Sequence, residues 1–125
     1  MNTIGYFEIQ SSQPERDVRF YNTVFGWHFE RQHGIPAPYF SIETTGITGG
    51  LLQRPVNIPS LPAGTNACVC SVQVDNFDAT SALILANGGQ VAMHKFAIPG
   101  RCWQGYFLDK DRNTFGIFQD DDQAA

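Results

Sequence analysis

Basic residues are scarce in this chain: eight Lys plus Arg stand against twelve Asp plus Glu in 125 residues, a formal net charge of −4. No basic stripe forms, so neither a nucleic-acid nor an anionic-membrane partner is expected. Long apolar runs are missing as well. No stretch approaches the roughly 18 consecutive apolar residues of a membrane span. The opening MNTIGYFEIQ lacks the positive region and apolar run of a signal peptide, and a cytoplasmic protein is expected. Cysteine is limited to Cys68, Cys70 and Cys102, an odd number without CxxC or HxxxH spacing nearby. That pattern supplies neither a disulfide framework nor a zinc site, and the thiols are expected to act as small buried hydrophobes.

What is present is apolar bulk and turn chemistry. Hydrophobic residues make up 42% of the chain, with ten Phe, twelve Gly and seven Pro. A chain of this length buries roughly two-thirds of its unfolded surface, so it needs no disulfide or metal to fold. Self-similarity is the strongest organising signal. Setting residue 6 over residue 69 aligns Ile9 with Val72, Gln10 with Gln73, Phe20 with Leu83 and Gly26 with Gly89. Further on, Tyr39-Phe40 matches Tyr106-Phe107, and the segment Gly50 to Gln53 matches Gly116 to Gln119.

Each half reads as β-α-β-β-β. In the first, a strand over 4–10 precedes a helix, with Ser12 and Glu15 at capping-box spacing and Pro14 in the first turn. Gly26 stands where a left-handed C-cap is wanted. Strands are expected over 27–32, 38–45 and 47–54. The second half repeats the order: a strand over 67–74, a helix capped by Asp75 with Ala82, Leu83 and Ala86 toward the core, and strands near 90–95, 103–109 and 114–119. The organisation expected is an N-terminal module at 1–54, a Pro-rich linker at 55–66, a C-terminal module at 67–119 and a fraying acidic tail at 120–125. The fold class is α+β: two βαβββ modules in tandem, with curved, mixed, antiparallel-rich sheets around a cup of ligand size.

Several motifs carry a family resemblance: YFEI at 6–9, PER at 14–16, FY at 20–21, VFGW at 24–27 and YFLDKDRN at 106–113 followed by Phe115-Gly116. Together they resemble the vicinal oxygen chelate superfamily of glyoxalases, bleomycin-resistance proteins and extradiol dioxygenases, and most of all its glyoxalase-related branch. The resemblance spans about residues 3–119. It implies tandem βαβββ modules and a homodimer. In metal-dependent members it places one ligand on the first strand and one on the last strand of each module. Here those positions fall on Tyr6, Val69, Gly50 and Gly116. Such a site needs three or four donor side chains. No metal ligand and no cofactor is therefore expected, and neither is a metal-dependent glyoxalase or dioxygenase activity.

Strand alternation sets Tyr6, Glu8 and Gln10 on one face, with Phe7 and Ile9 toward the helix. On the matching strand it sets Val69, Ser71 and Gln73 near Gly116 and Phe118. The residues expected to meet a ligand are Tyr6, Glu8, Ser71, Gln73, Trp103, Tyr106 and Phe118, with Tyr39 as a further stacking surface. Glu8 in an apolar cup would be a general base, and Tyr6 would donate to the oxygen gaining charge. Alternatively, Glu8 pairs with Arg16, Arg54 or Arg101 and organises the sheet. His28, His33 and His94 share no ligand spacing. Three functions follow: binding of a small aromatic or amphipathic molecule, a metal-free isomerase or lyase with Glu8 as base, or a structural or regulatory dimer.

Overall fold

The computed structural model describes residues 6–34, 37–53 and 69–125. The chain divides into two compact units, Met1–Ser60 and Leu61–Ala125. The Pro-rich linker, Arg54 and Cys68 lie outside the described residues.

In the first unit, β1 (Phe7–Ser11) is followed by α1 (Pro14–Phe25), β2 (His28–Arg31), β3 (Tyr39–Glu43) and β4 (Gly49–Gln53). The sheet order is β1-β4-β3-β2, with β1 parallel to β4 and the other pairs antiparallel. The second unit repeats this with β5 (Ser71–Gln73), α2 (Phe77–Ala86), β6 (Gln90–Ile98), β7 (Cys102–Leu108) and β8 (Thr114–Asp120), in the order β5-β8-β7-β6. The α+β class and the twofold βαβββ order are those expected from the repeat.

One helix covers one face of each sheet. In the first unit Phe20, Tyr21 and Val24 of α1 pack with Phe40, Ile42 and Leu51, all buried. Trp27 closes that core by stacking on Tyr21 at 5.6 Å and meeting Phe7 edge-on at 5.8 Å. Such ring pairs add about 0.5–1.5 kcal/mol beyond the area they bury. α1 ends at Gly26, whose φ of 70° allows its N–H to bond the Asn22 carbonyl.

The start of α1 differs from the capping box. Gln13 is the N-cap and makes no side-chain cap bond, and Pro14 opens the helix where its missing N–H costs no intrahelical bond. Ser11 does the capping work from outside. Its Oγ accepts the Gln13 N–H at 2.9 Å and donates to Asp17 at 2.5 Å, and both side chains are buried.

The second helix also departs from expectation. Asn76, not Asp75, is its N-cap and accepts the Ala79 N–H at 2.9 Å. Ala82, Leu83 and Ala86 are exposed, whereas Phe77 and Ile84 are buried. α2 is apolar on nearly every side, so its pattern has no polar face to fix its rotation. Rotation is set by Phe77 and Ile84, two turns apart, with the Phe77 ring filling the space over Gly105. A Cβ on Gly105 would stand 2.6 Å from Phe77 Cζ.

The acidic tail does not fray. Ala124 is buried, its carbonyl accepts the Gly100 N–H at 2.9 Å, and the Asp121 N–H reaches the Arg101 carbonyl at 2.9 Å. The Trp103 indole N–H donates to Asp121 Oδ2 at 3.0 Å. The Gln123 backbone N–H and then that indole hold the Asp121 carboxyl below the usual aspartate range.

Register corrects one internal match. Glu8 faces Gly50 across β1 and β4, as Ser71 faces Gly116 across β5 and β8, so the glycines correspond. Tyr39 lies opposite Leu52, and Gln104 lies opposite Phe118. The counterpart of Tyr39 is therefore Gln104, and that of Ser41 is Tyr106. Matching the two YF pairs by identity was out by two residues, a slip that preserves the face and so leaves the alternation intact.

Candidate functional site

Within its own unit and among the described residues, each sheet has one face under its helix and one face that no helix covers, its open face. In the first module a row of the open face runs Glu8, Gly50, Ser41, Glu30 across four strands. Gly50 stands at its centre. From either side Tyr6 and Tyr39 reach over that glycine, and their hydroxyls hydrogen-bond to one another. A Cβ on Gly50 would lie 2.6 Å from the Tyr6 hydroxyl and 2.5 Å from Tyr39 Cζ. The glycine is what lets the two phenols meet there.

The electrostatics of this row favour a neutral phenol at Tyr39. Desolvation by its neighbours is the largest cause, the Tyr6 hydrogen bond comes next, and the nearby charge of Glu8 adds to it. Together they push the Tyr39 hydroxyl well above the usual tyrosine range. Glu8 itself is exposed. Of the arginines proposed as its partners, Arg16 sits on Asp17 at 2.8 Å, and Arg54 lies outside the described residues. The Ser41 hydroxyl is already engaged, accepting from Gln32 Nε2 at 3.1 Å and donating to the Glu30 carbonyl at 3.3 Å.

The second module repeats the plan with different chemistry. Its central row runs Ser71, Gly116, Tyr106, Met93. Ser71 Oγ crowds the space over Gly116, and Gln104 Nε2 would lie 2.8 Å from a Cβ there. That amide donates to Ser71 Oγ at 3.3 Å. Tyr106 stacks with Phe96 at 6.4 Å, and Gln73 donates to Asp120 at 2.8 Å. A phenol pair beside a carboxylate thus marks one module, and an amide with an aromatic platform marks the other.

Tyr6 and Glu8 share the first open face. Ser71, Gln73, Tyr106 and Phe118 share the second. Trp103 does not join them. It alternates with Gln104 on β7 and lies on the helix side, where Lys95 Nζ sits 4.8 Å from its ring and bonds Asp78 of α2 at 3.1 Å. Tyr39 as partner of Tyr6, and Gln104 as partner of Ser71, were not legible as such. Two mid-strand glycines were the available signal, since each implies a bulky group approaching from the same face. His28, His33 and His94 are exposed and dispersed.

The positions that the family resemblance assigns to metal ligands can be tested against these groups. Val69 and the two glycines bring no side-chain donor, which leaves Tyr6 as the one oxygen among the four positions. Among the described residues no group of three or more His, Cys, Asp or Glu is arranged to share an ion. This donor set does not fit a divalent-cation site of the glyoxalase type.

Neither a protein-family model nor a curated protein sequence matches the chain. Solved structures do. The glyoxalase/bleomycin resistance protein/dioxygenase domain from Frankia sp. EAN1pec superposes with a TM-score of 0.75 at 15% identity, covering 97% of this chain and 99% of that one. A glyoxalase/bleomycin resistance protein/dioxygenase family enzyme from Burkholderia phytofirmans gives 0.71 at 20% identity, covering 92% and 96%. The fosfomycin resistance protein FosX from Listeria monocytogenes, in a mutant complexed with Mn(II) and a dihydroxypropylphosphonic acid, gives 0.73 at 13% identity, covering 94% and 89%. The fold is therefore that of the glyoxalase/bleomycin resistance/dioxygenase proteins. Identity at this level carries the fold alone.

Proposed function

We propose that this chain is a glyoxalase-fold protein that works without a resident metal and binds a small aromatic or amphipathic molecule against the open faces of its sheets. The observation that carries this is glycine at the two last-strand positions to which the resemblance assigns metal ligands, with phenol or amide groups folded over each glycine. Hydrogen-bonding groups beside aromatic rings suit an organic ligand with one polar end. Tyr106 and Phe96 supply stacking area, and the Tyr6–Tyr39 pair supplies orientation.

A second function is favoured by one specific juxtaposition, Glu8 next to the paired phenols. Glu8 would accept a proton from a bound carbon acid, while the one O–H that the phenol pair does not use in its mutual bond donates to the oxygen that gains charge. The upward push on the Tyr39 hydroxyl suits a group that lends its proton without losing it.

Native mass spectrometry of the full chain with a panel of aromatic amphiphiles, in excess chelator, tests the binding role. At least one compound is expected to bind one-to-one, and Tyr39→Ala should weaken it by about tenfold, the size of one lost hydrogen bond plus ring contact. Binding that appears only when a divalent metal replaces the chelator would contradict the proposal.

A further inference from the structure

Basic charge is unevenly placed in both modules. Among the described residues, every Lys and Arg lies on a helix, on the helix side of a sheet or in a turn. Arg16 and Arg19 belong to α1. Arg31 points to the helix side of β2, where it pairs with Glu15 of α1 at 3.6 Å and covers the Phe40 ring. Lys95 pairs with Asp78 of α2. Arg101, Lys110 and Arg112 occupy the connections between β6, β7 and β8. The open face of the first module instead carries Glu8, Glu30 and Glu43, with His28 opposite Glu43 in the register.

Resting on the binding role proposed above, we infer that the ligand of the first module's open face is an organic cation, an aromatic or amphipathic molecule bearing a protonated amine, seated on Glu8 and the Tyr6–Tyr39 phenol pair. An ammonium group has donors and no acceptor, and it needs oxygen lone pairs around it. The face provides them: the Glu8 carboxylate is exposed, and each phenol oxygen keeps a lone pair beyond their mutual bond. Ser41 does not compete, because its hydroxyl is already bonded on both sides. An anionic ligand would meet carboxylates and no described counter-ion. Ring faces of the two tyrosines add the attraction of a π system for a cation.

Three probes of matched shape separate the possibilities: phenethylamine, phenethyl alcohol and phenylpropionate, titrated calorimetrically into the full chain at neutral pH with chelator present. The amine is expected to bind about tenfold or more tighter than the alcohol, as a charge-assisted hydrogen bond allows, and the carboxylate should not bind measurably. Glu8→Gln, an exposed and nearly isosteric change, should erase the amine's advantage over the alcohol. Raising the salt should narrow the same gap. Equal affinities for all three probes, or an amine preference that survives Glu8→Gln, would overturn the cationic assignment and leave small-molecule binding standing. Failure of all three to bind would overturn both.

Discussion

Alanine at Gly49 is expected to lower the unfolding free energy by about 3 kcal/mol, the upper end of the usual cost of overpacking. The new Cβ would stand 2.5 Å from Phe7 Cε1 and 2.6 Å from the Phe7 backbone oxygen. The ring could shift, but the backbone oxygen belongs to the β1–β4 ladder and cannot move without breaking register. Alanine at Gly50 is the control. It sits one residue along, on the opposite face, and meets only the far ends of two tyrosine side chains. Its expected cost is about 1 kcal/mol, because the far end of a flexible side chain can swing aside, but the phenol pair would be parted. Urea denaturation of the two variants measures the contrast. Equal costs would mean that the faces of β4 are not as different as their neighbours indicate.

Removing the buried carboxylate at Asp17 is expected to be at least as damaging, with Asp17→Ala costing about 3–5 kcal/mol. Asp17 is fully buried, accepts from Ser11 Oγ and receives Arg16 Nε at 2.8 Å and Nη2 at 3.2 Å. Alanine would strip the acceptor from a buried hydroxyl and from a half-covered guanidinium at once. Ser11 also holds the Gln13 N–H, so the loss should spread to the first turn of α1. Asp17→Asn keeps an oxygen for Ser11 and should recover part of the stability. Chemical denaturation of both variants decides the matter, and a cost below about 1 kcal/mol for alanine would show that the network is not what anchors the helix.

Much of this architecture was legible because it repeats. Strand and helix order, the left-handed stop at Gly26 and the correspondence of Gly50 with Gly116 all follow from local chemistry or from a periodicity that two halves share. What escaped reading depends on contacts between distant residues. The capping role of Ser11 could not be separated from that of Ser12 without the buried Asp17 to receive it. α2 has apolar residues nearly all round, so only the packing of Phe77 over Gly105 reveals which side is inside. The tail reads as a solvated acidic run, yet Trp103 and the β6–β7 turn tie it down. At the candidate site, alternation alone puts Tyr6 and Glu8 on one face. It could not show that Tyr39 crosses a glycine to reach Tyr6, nor that Trp103 turns toward Lys95 and the helix.

Thermal unfolding of the chelator-stripped full chain, repeated with Mn(II) and with Ni(II) added at a modest excess, addresses the donor set at Tyr6, Val69, Gly50 and Gly116 most directly. A cation held by protein side chains at a hundred times its dissociation constant would add about 2.7 kcal/mol of stability through linkage. The midpoint is predicted to stay where it was with either metal. A saturable rise of several degrees that chelator reverses would contradict the assignment of a metal-free site.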